Sequence, residues 1–185
     1  MNATVSLLIF AAGSAFFLYV SWRALLNPRS HGFYRFIAWE CMLALVLLNF
    51  PSWTLDPFSP RQIASWVLLA TSAALAGHAV RLLKAIGQPG TERSDAELFA
   101  FEKTSTLVTT GAFRYIRHPM YAALLFLNWG AWLKDLSLPS TALAGVASVA
   151  LLLTALRDEA ECRQHFGKVY DDYMKTSKRF VPFVF

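Results

Sequence analysis

Charge is scarce in this chain and cysteine scarcer still. Charged residues make up 16% of the 185, against about 25% in an ordinary soluble domain. Hydrophobic residues reach 56% and fall in long uninterrupted runs, which excludes a soluble fold built around one large core. Of the two cysteines, Cys41 lies in an apolar run and Cys162 in a polar tail. That excludes a disulfide scaffold, and no Cys/His spacing of a metal site occurs, so no metal is expected. The first segment lacks a basic start and its apolar run is too long for a secretory signal. Internal repeats, low-complexity tracts, a Ser-His-Asp order and a glycine-rich phosphate loop are all missing, which leaves hydrolysis weakly supported. The net charge of +5 does not indicate nucleic acid. With 15% aromatics beside the apolar runs, it reads as basic residues at a membrane surface.

What is present is a series of apolar segments, and the chain reads as one all-α membrane domain over 1–185 with about five transmembrane helices. The first span covers 5–26, ending at the interfacial Trp22 and Arg23 and stopped by Asn27-Pro28. The second covers 36–55 and contains Glu40, expected to reach the interface and pair with Arg35 or another loop cation. Pro51, Pro57 and Pro60 mark a turn before the third span, 62–80. His78, near its end, reads as structural. Residues 1–86 thus form a three-span N-terminal part.

The stretch 87–104 is the most polar of the chain, and Ser94 with early acidic residues predicts an interfacial helix near 95–103. Two shorter apolar segments follow, 120–133 and 141–156, separated by Lys134-Asp135 and Pro139. Each falls below the roughly 20 residues of a span. Extending the first back through His118 and the second past Asp158 gives a hairpin of sufficient length. It also puts Arg117-His118 and Arg157-Asp158-Glu159 at one end. The tail alternates Tyr170, Tyr173 and Phe180 with charges, predicting an amphipathic segment that covers either the membrane surface or the loop at 114–118. All Lys and Arg except Arg61 and Lys134 then fall on one side, which predicts the N-terminus outside and the C-terminus in the cytoplasm, as in a bacterial inner membrane.

The chemistry concentrates in LVTTGAFRYIRHPMY, residues 107–121. It gathers threonines, Arg114, Arg117, His118 and aromatic rings where a polar loop opens into an apolar helix. Together with Asp158 and Glu159 it suits a charged small molecule carrying a flat ring: carboxylates accept from hydroxyls or amines, and aromatic faces stack or meet cations.

This loop, the carboxylate pair Asp158-Glu159, the later FGKVYDDY and the closing RFVP resemble the isoprenylcysteine carboxyl methyltransferase / phospholipid methyltransferase group of integral membrane enzymes. The resemblance covers about 104–183. It implies a C-terminal part, 104–185, that binds S-adenosyl-L-methionine at the cytoplasmic end of the hairpin and methylates a hydrophobic or lipid acceptor. Carried over by position, the cofactor contacts are Ser105, Thr106, Leu107, Val108, Phe113, His118, Pro119, Met120, Tyr121, Asp158 and Glu159. The family's tyrosine is Phe113 here, its first glutamate is Asp158, and the glycine after RHPxYx is Ala123. The arginine that holds a prenylcysteine carboxylate falls on Thr154, with Arg157 displaced by most of a turn. The resemblance assigns no base; Arg157, Glu159 and His118 are the catalytic candidates. The RDEAEC segment also resembles the C-terminal end of the larger, NADPH-binding membrane sterol reductases, and a non-catalytic scaffold on the same fold is a third reading.

Overall fold

The computed structural model describes residues 2–88 and 102–184. Among them are six α-helices: α1 (Ala3–Leu25), α2 (His31–Asn49), α3 (Pro60–Ile86), α4 (Pro119–Trp132), α5 (Leu138–Phe166) and α6 (Lys168–Thr176). No strand forms among the described residues, and one parallel bridge joins Ile116 to Lys178. α1, α3, α5 and α2 with the 3-10 turn that follows it are long and apolar enough to cross a membrane. The fifth expected span, α4, has 14 residues, about 21 Å at 1.5 Å per residue. It fills the space against α2, α3 and α5 without matching their length.

Local chemistry sets the helix boundaries. The second helix begins at His31, not at 36, because the Ser30 side chain accepts from the Phe33 amide and caps it. His31 and Arg35 therefore belong to a helix, not to a connecting loop. α2 ends at Asn49, where Pro51 forces a 3-10 turn. α4 does not extend back through His118. That residue has ψ 62, outside the helical range, and Pro119 takes the first helical turn, where its missing N–H costs nothing. The fifth helix does run past Asp158, to Phe166, and stops where Gly167 adopts φ 58, a conformation glycine adopts without strain. The proposed interfacial helix at 95–103 lies outside the described residues up to 101.

Polar side chains bind the apolar helices together. Ser65 donates to the Gly130 carbonyl at 2.6 Å and Ser72 to that of Ala123 at 2.7 Å, both across α3 and α4. The Asn128 amide donates to the Ala144 carbonyl at 2.9 Å, joining α4 to α5. Such bonds replace the hydrophobic driving force that lipid does not provide between helices. Glu40 is not paired with Arg35. It accepts from Ser14 of α1 at 2.6 Å, while Arg35 reaches Glu102 at 3.0 Å. The expectation of an interfacial ion pair fails because α2 starts five residues early and sets Glu40 deeper, facing α1.

The turn between α4 and α5 is locked at Lys134, which is fully buried. Its ammonium sits 3.4 Å from the centroid of a Trp66 ring and donates to Gln62 Oε1 at 2.9 Å, while Trp53 stands 5.4 Å away. Beside it, Asn49 donates to the carbonyls of Ala131 and Asp135 and accepts from Ser140 at 2.6 Å. A Lys134→Met substitution leaves Gln62 without its donor and the indole faces without their cation. The expected loss is about 1–3 kcal/mol, read as a lower thermal midpoint in detergent; an unchanged midpoint would show the cage to be idle.

Candidate functional site

The two polar clusters meet. His118, preceding α4, places its Nε2 3.3 Å from Glu159 Oε1 and its Nδ1 3.5 Å from Asp158 Oδ2. Glu159 is nearly enclosed, and two guanidiniums and the His118 ring converge on it. Arg179 from the tail grips it with both arms, Nε to Oε1 at 3.0 Å and Nη2 to Oε2 at 2.9 Å. Arg117 donates to Oε1 at 3.0 Å. A bidentate guanidinium with further donors on the same carboxylate offsets the cost of taking that charge out of water.

Arg117 also reaches the carbonyls of Met174 at 3.4 Å and of Ser177, so one side chain ties the loop to α5, α6 and the tail. Backbone bonds repeat the tie. The Arg117 amide donates to Lys178 O at 2.7 Å, His118 to Arg179 O at 3.2 Å, and Lys178 back to Tyr115 O at 2.9 Å. Tyr173 of α6 donates its hydroxyl to the Phe113 carbonyl at 2.5 Å. The tail therefore closes over the loop at 114–118, as one of the two sequence readings held.

The loop itself turns at Gly111, with φ 58, and a Cβ there would lie 2.7 Å from His78 Nε2. The Ala112 amide donates to that nitrogen at 3.4 Å, so His78 braces the loop, in keeping with a structural role.

Between these elements lies a cleft of about 700 Å³, counted out to its open mouth. Its apolar wall includes Leu83, Leu107, Val108, Phe113 and Met120; its polar wall includes Glu102, Asp158, Cys162 and Tyr170. Of the residues carried over by resemblance, Leu107, Val108, Phe113, His118, Pro119, Met120, Tyr121 and Asp158 line it. Ser105 and Thr106 are exposed at its approach, Ser105 donating to Gln88 O at 3.0 Å. Glu159 sits behind the lining, committed to its cations. Arg157 is exposed and does not line the cleft.

Glu102, Thr104, Cys162, Phe166, Tyr170 and Tyr173 line the cleft without having been singled out for it. Cys162 and Phe166 carry a signal, lying one and two turns beyond Asp158 on α5; Tyr170 and Tyr173 come from α6, after the break at Gly167. Thr154 is fully buried and returns its hydroxyl to the Ala150 carbonyl at 2.8 Å. It offers no cation where the isoprenylcysteine enzymes have one.

Burial alone would lower the pKa of His118, but hydrogen bonds and charge from Asp158 and Glu159 outweigh it and hold the pKa above the ordinary histidine value. Burial raises the pKa values of the Tyr170 and Tyr173 phenols, keeping both as neutral donors at physiological pH.

Fold and site together define a helical membrane protein with a small-molecule cleft at one end of a hairpin, lined by a basic loop, carboxylates and aromatic rings. The comparison with known families is more specific. The model of the phospholipid methyltransferase family matches residues 61–174, more than half of the chain, and the chain belongs to that family. It is a membrane methyltransferase by family. No curated protein and no solved structure matches it significantly.

Glu159→Gln strips the charge from a carboxylate that two guanidiniums and the His118 ring share and leaves both guanidiniums partly buried without a full partner. A loss of about 3–5 kcal/mol is expected, as for other broken buried ion pairs. Limited proteolysis should then cut the tail beyond Thr176 faster than in the parent protein. Equal cutting rates would show that the tail is held by its backbone bonds and by Phe180 packed on Ile116 and Tyr121, without Glu159.

Proposed function

We propose that the protein transfers a methyl group from S-adenosyl-L-methionine to a lipid acceptor at the cytoplasmic face of the membrane. The observation that carries this reading is the cleft itself. It joins the apolar Leu107, Val108, Phe113 and Met120 to the carboxylate of Asp158 at the end of the α4–α5 hairpin.

The residues fit such a donor. Asp158 supplies an acceptor for its hydroxyls or ammonium, and the rings of Phe113, Tyr170 and Tyr173 supply flat apolar faces for its base. The bound donor brings a methyl group already activated on a sulfonium, so the protein's task is to orient, desolvate and, for a protonated acceptor, receive a proton. Among the catalytic candidates, Glu159 is committed to Arg117 and Arg179, His118 is enclosed between two carboxylates and Arg157 is exposed. Of the two carboxylates on the cleft wall, Glu102 is paired with Arg35 at 3.0 Å, and we assign proton acceptance to Asp158.

An amine-bearing phospholipid suits this site better than a prenylcysteine. An acceptor amine meets the acidic wall of Glu102 and Asp158, whereas a substrate carboxylate would find the neutral, buried Thr154 where a cation is needed. The bulk of the positive charge at this end of the helices supports a cytoplasmic site and an outside N-terminus, as in a bacterial inner membrane.

Calorimetry on the detergent-purified protein should show S-adenosyl-L-methionine binding, weakened roughly tenfold or more in Asp158→Asn, the scale of one charge-assisted hydrogen bond. Labelled methyl should then appear in the lipid of vesicles containing an aminophospholipid. Binding of NADPH in place of the sulfonium donor would overturn the reading in favour of a reductase, and binding of neither would favour a scaffold.

A further inference from the structure

The tail does not end on the loop it covers. Phe180 turns inward and is buried with Ile116 and Tyr121, and Leu75 of α3, Leu124 of α4 and Leu152 of α5 pack against the same cluster. Phe180 is thereby seated among the apolar helices, so the residues that follow it emerge at the water–lipid boundary. They are apolar and face outward: Val181 is 49% exposed, Phe183 81% and Val184 75%. A turn in which the Val184 amide donates to the Val181 carbonyl at 3.2 Å precedes the chain end. Within it the Phe183 ring meets the exposed Tyr115 ring edge-on, with centroids 6.0 Å apart. Loop and tail thus build one outward apolar patch, held in register by the Lys178 amide, which donates to Tyr115 O at 2.9 Å.

Two basic side chains flank the patch. Arg114 lies over the Tyr115 ring, 5.8 Å from its centroid, and Lys178 is exposed on the neighbouring segment. Among the described residues, neither pairs with a carboxylate. The surface of α6 differs. There Arg163 meets Asp171 at 2.9 Å and Lys175 meets Asp172 at 2.6 Å, so its charges are balanced within the protein, as on an ordinary solvated face.

We infer that Tyr115, Val181, Phe183 and Val184, with Arg114 and Lys178, dock on the anionic headgroup layer of the leaflet at this end, the cytoplasmic one in the orientation proposed above. The combination of apolar groups and unbalanced cations is what such a layer holds. The apolar groups enter the boundary between headgroups and acyl chains, and the cations meet lipid phosphates in a negative surface potential. A protein partner is the poorer fit, since a stable interface takes roughly 20–30 residues a side and this patch is a handful of side chains at a chain end. The consequence reaches the cleft. The docked turn follows closely on Arg179, which holds Glu159, so the leaflet steadies the tail that closes the site.

The test is the depth of a nitroxide label on Val184→Cys, in a Cys41→Ser and Cys162→Ser background, in nanodiscs of phosphatidylglycerol or of phosphatidylcholine. A label on Asp172→Cys of α6 serves as the water-facing reference. In phosphatidylglycerol, relaxation by oxygen should exceed relaxation by a nickel chelate at 184, with the reverse at 172. In phosphatidylcholine, or after Arg114→Ala combined with Lys178→Ala, the label at 184 should shift toward the aqueous pattern. A water-exposed label at 184 in the anionic disc would overturn the inference, as would equal depth in the two lipids. Dipolar broadening between labels at 184 would overturn it in favour of contact with a second copy. If the cysteine-free chain does not fold, hydrogen exchange of the tail amides beyond Phe180 in the parent protein decides. Exchange about fivefold slower in phosphatidylglycerol, the scale of one basic side chain near a charged surface, supports docking, and equal exchange sinks it. Neither measurement contains a methyl donor, so failure here is distinct from failure of the methyl-transfer reading.

Discussion

A single buried carboxylate organises the cleft end of the molecule. Glu159 receives Arg117 from the loop, Arg179 from the tail and the His118 ring that precedes α4. Two separate segments, the loop and the tail, are thus fixed to α5 by one side chain. Phe180 of the tail adds an apolar hold, buried against Ile116 and Tyr121, and the Tyr173 hydroxyl and backbone bonds add polar ones, but among the described residues only Glu159 draws charged groups of both loop and tail to one point. The cleft is the space these segments leave when they close on that point.

The same logic explains the polar atoms among the spans. In lipid, apolar side chains gain little by leaving one neighbour for another, so association falls to close backbone approach and interhelical hydrogen bonds. Ser65 and Ser72 give α3 and α4 both, since each is small and each donates to a carbonyl of the partner helix. Asn49 and Asn128, fully buried, likewise donate to carbonyls of α4 and α5, and Gln62, equally buried, donates to the Ser52 carbonyl in the turn after α2. A polar residue in an apolar run here marks a helix contact more often than a site.

Much of this was legible in the sequence, because apolar runs and a polar loop state their roles without tertiary context. The hairpin, the continuation of α5 past Asp158, and the meeting of Arg117-His118 with Asp158-Glu159 follow from run lengths alone. The start of α2 was missed because Ser30 is one hydroxyl in a basic connection, and its capping bond outweighed the Arg and His around it. Glu40 was misassigned for the same reason: a five-residue shift of the helix start moves its side chain out of reach of Arg35. The division of labour between Asp158 and Glu159 could not be read either. They are neighbours in sequence, and only the positions of Arg117 and Arg179 decide which one faces the cleft and which one holds the tail.

The lysine cage at the far turn has a mechanical meaning. There, Trp53, Trp66, Gln62 and Asn49 tie α2, α3, α4 and α5 together around the buried Lys134. At the opposite end the walls of the cleft are a loop and a tail, joined by a handful of bonds. The bundle is built like a clothes-peg, sprung at one end and gripping at the other. A small tilt of the helices about that end would be magnified over the length of α5 into a change of gape at the cleft. Rigidity at a place with no chemistry would let the other end open without the spans coming apart.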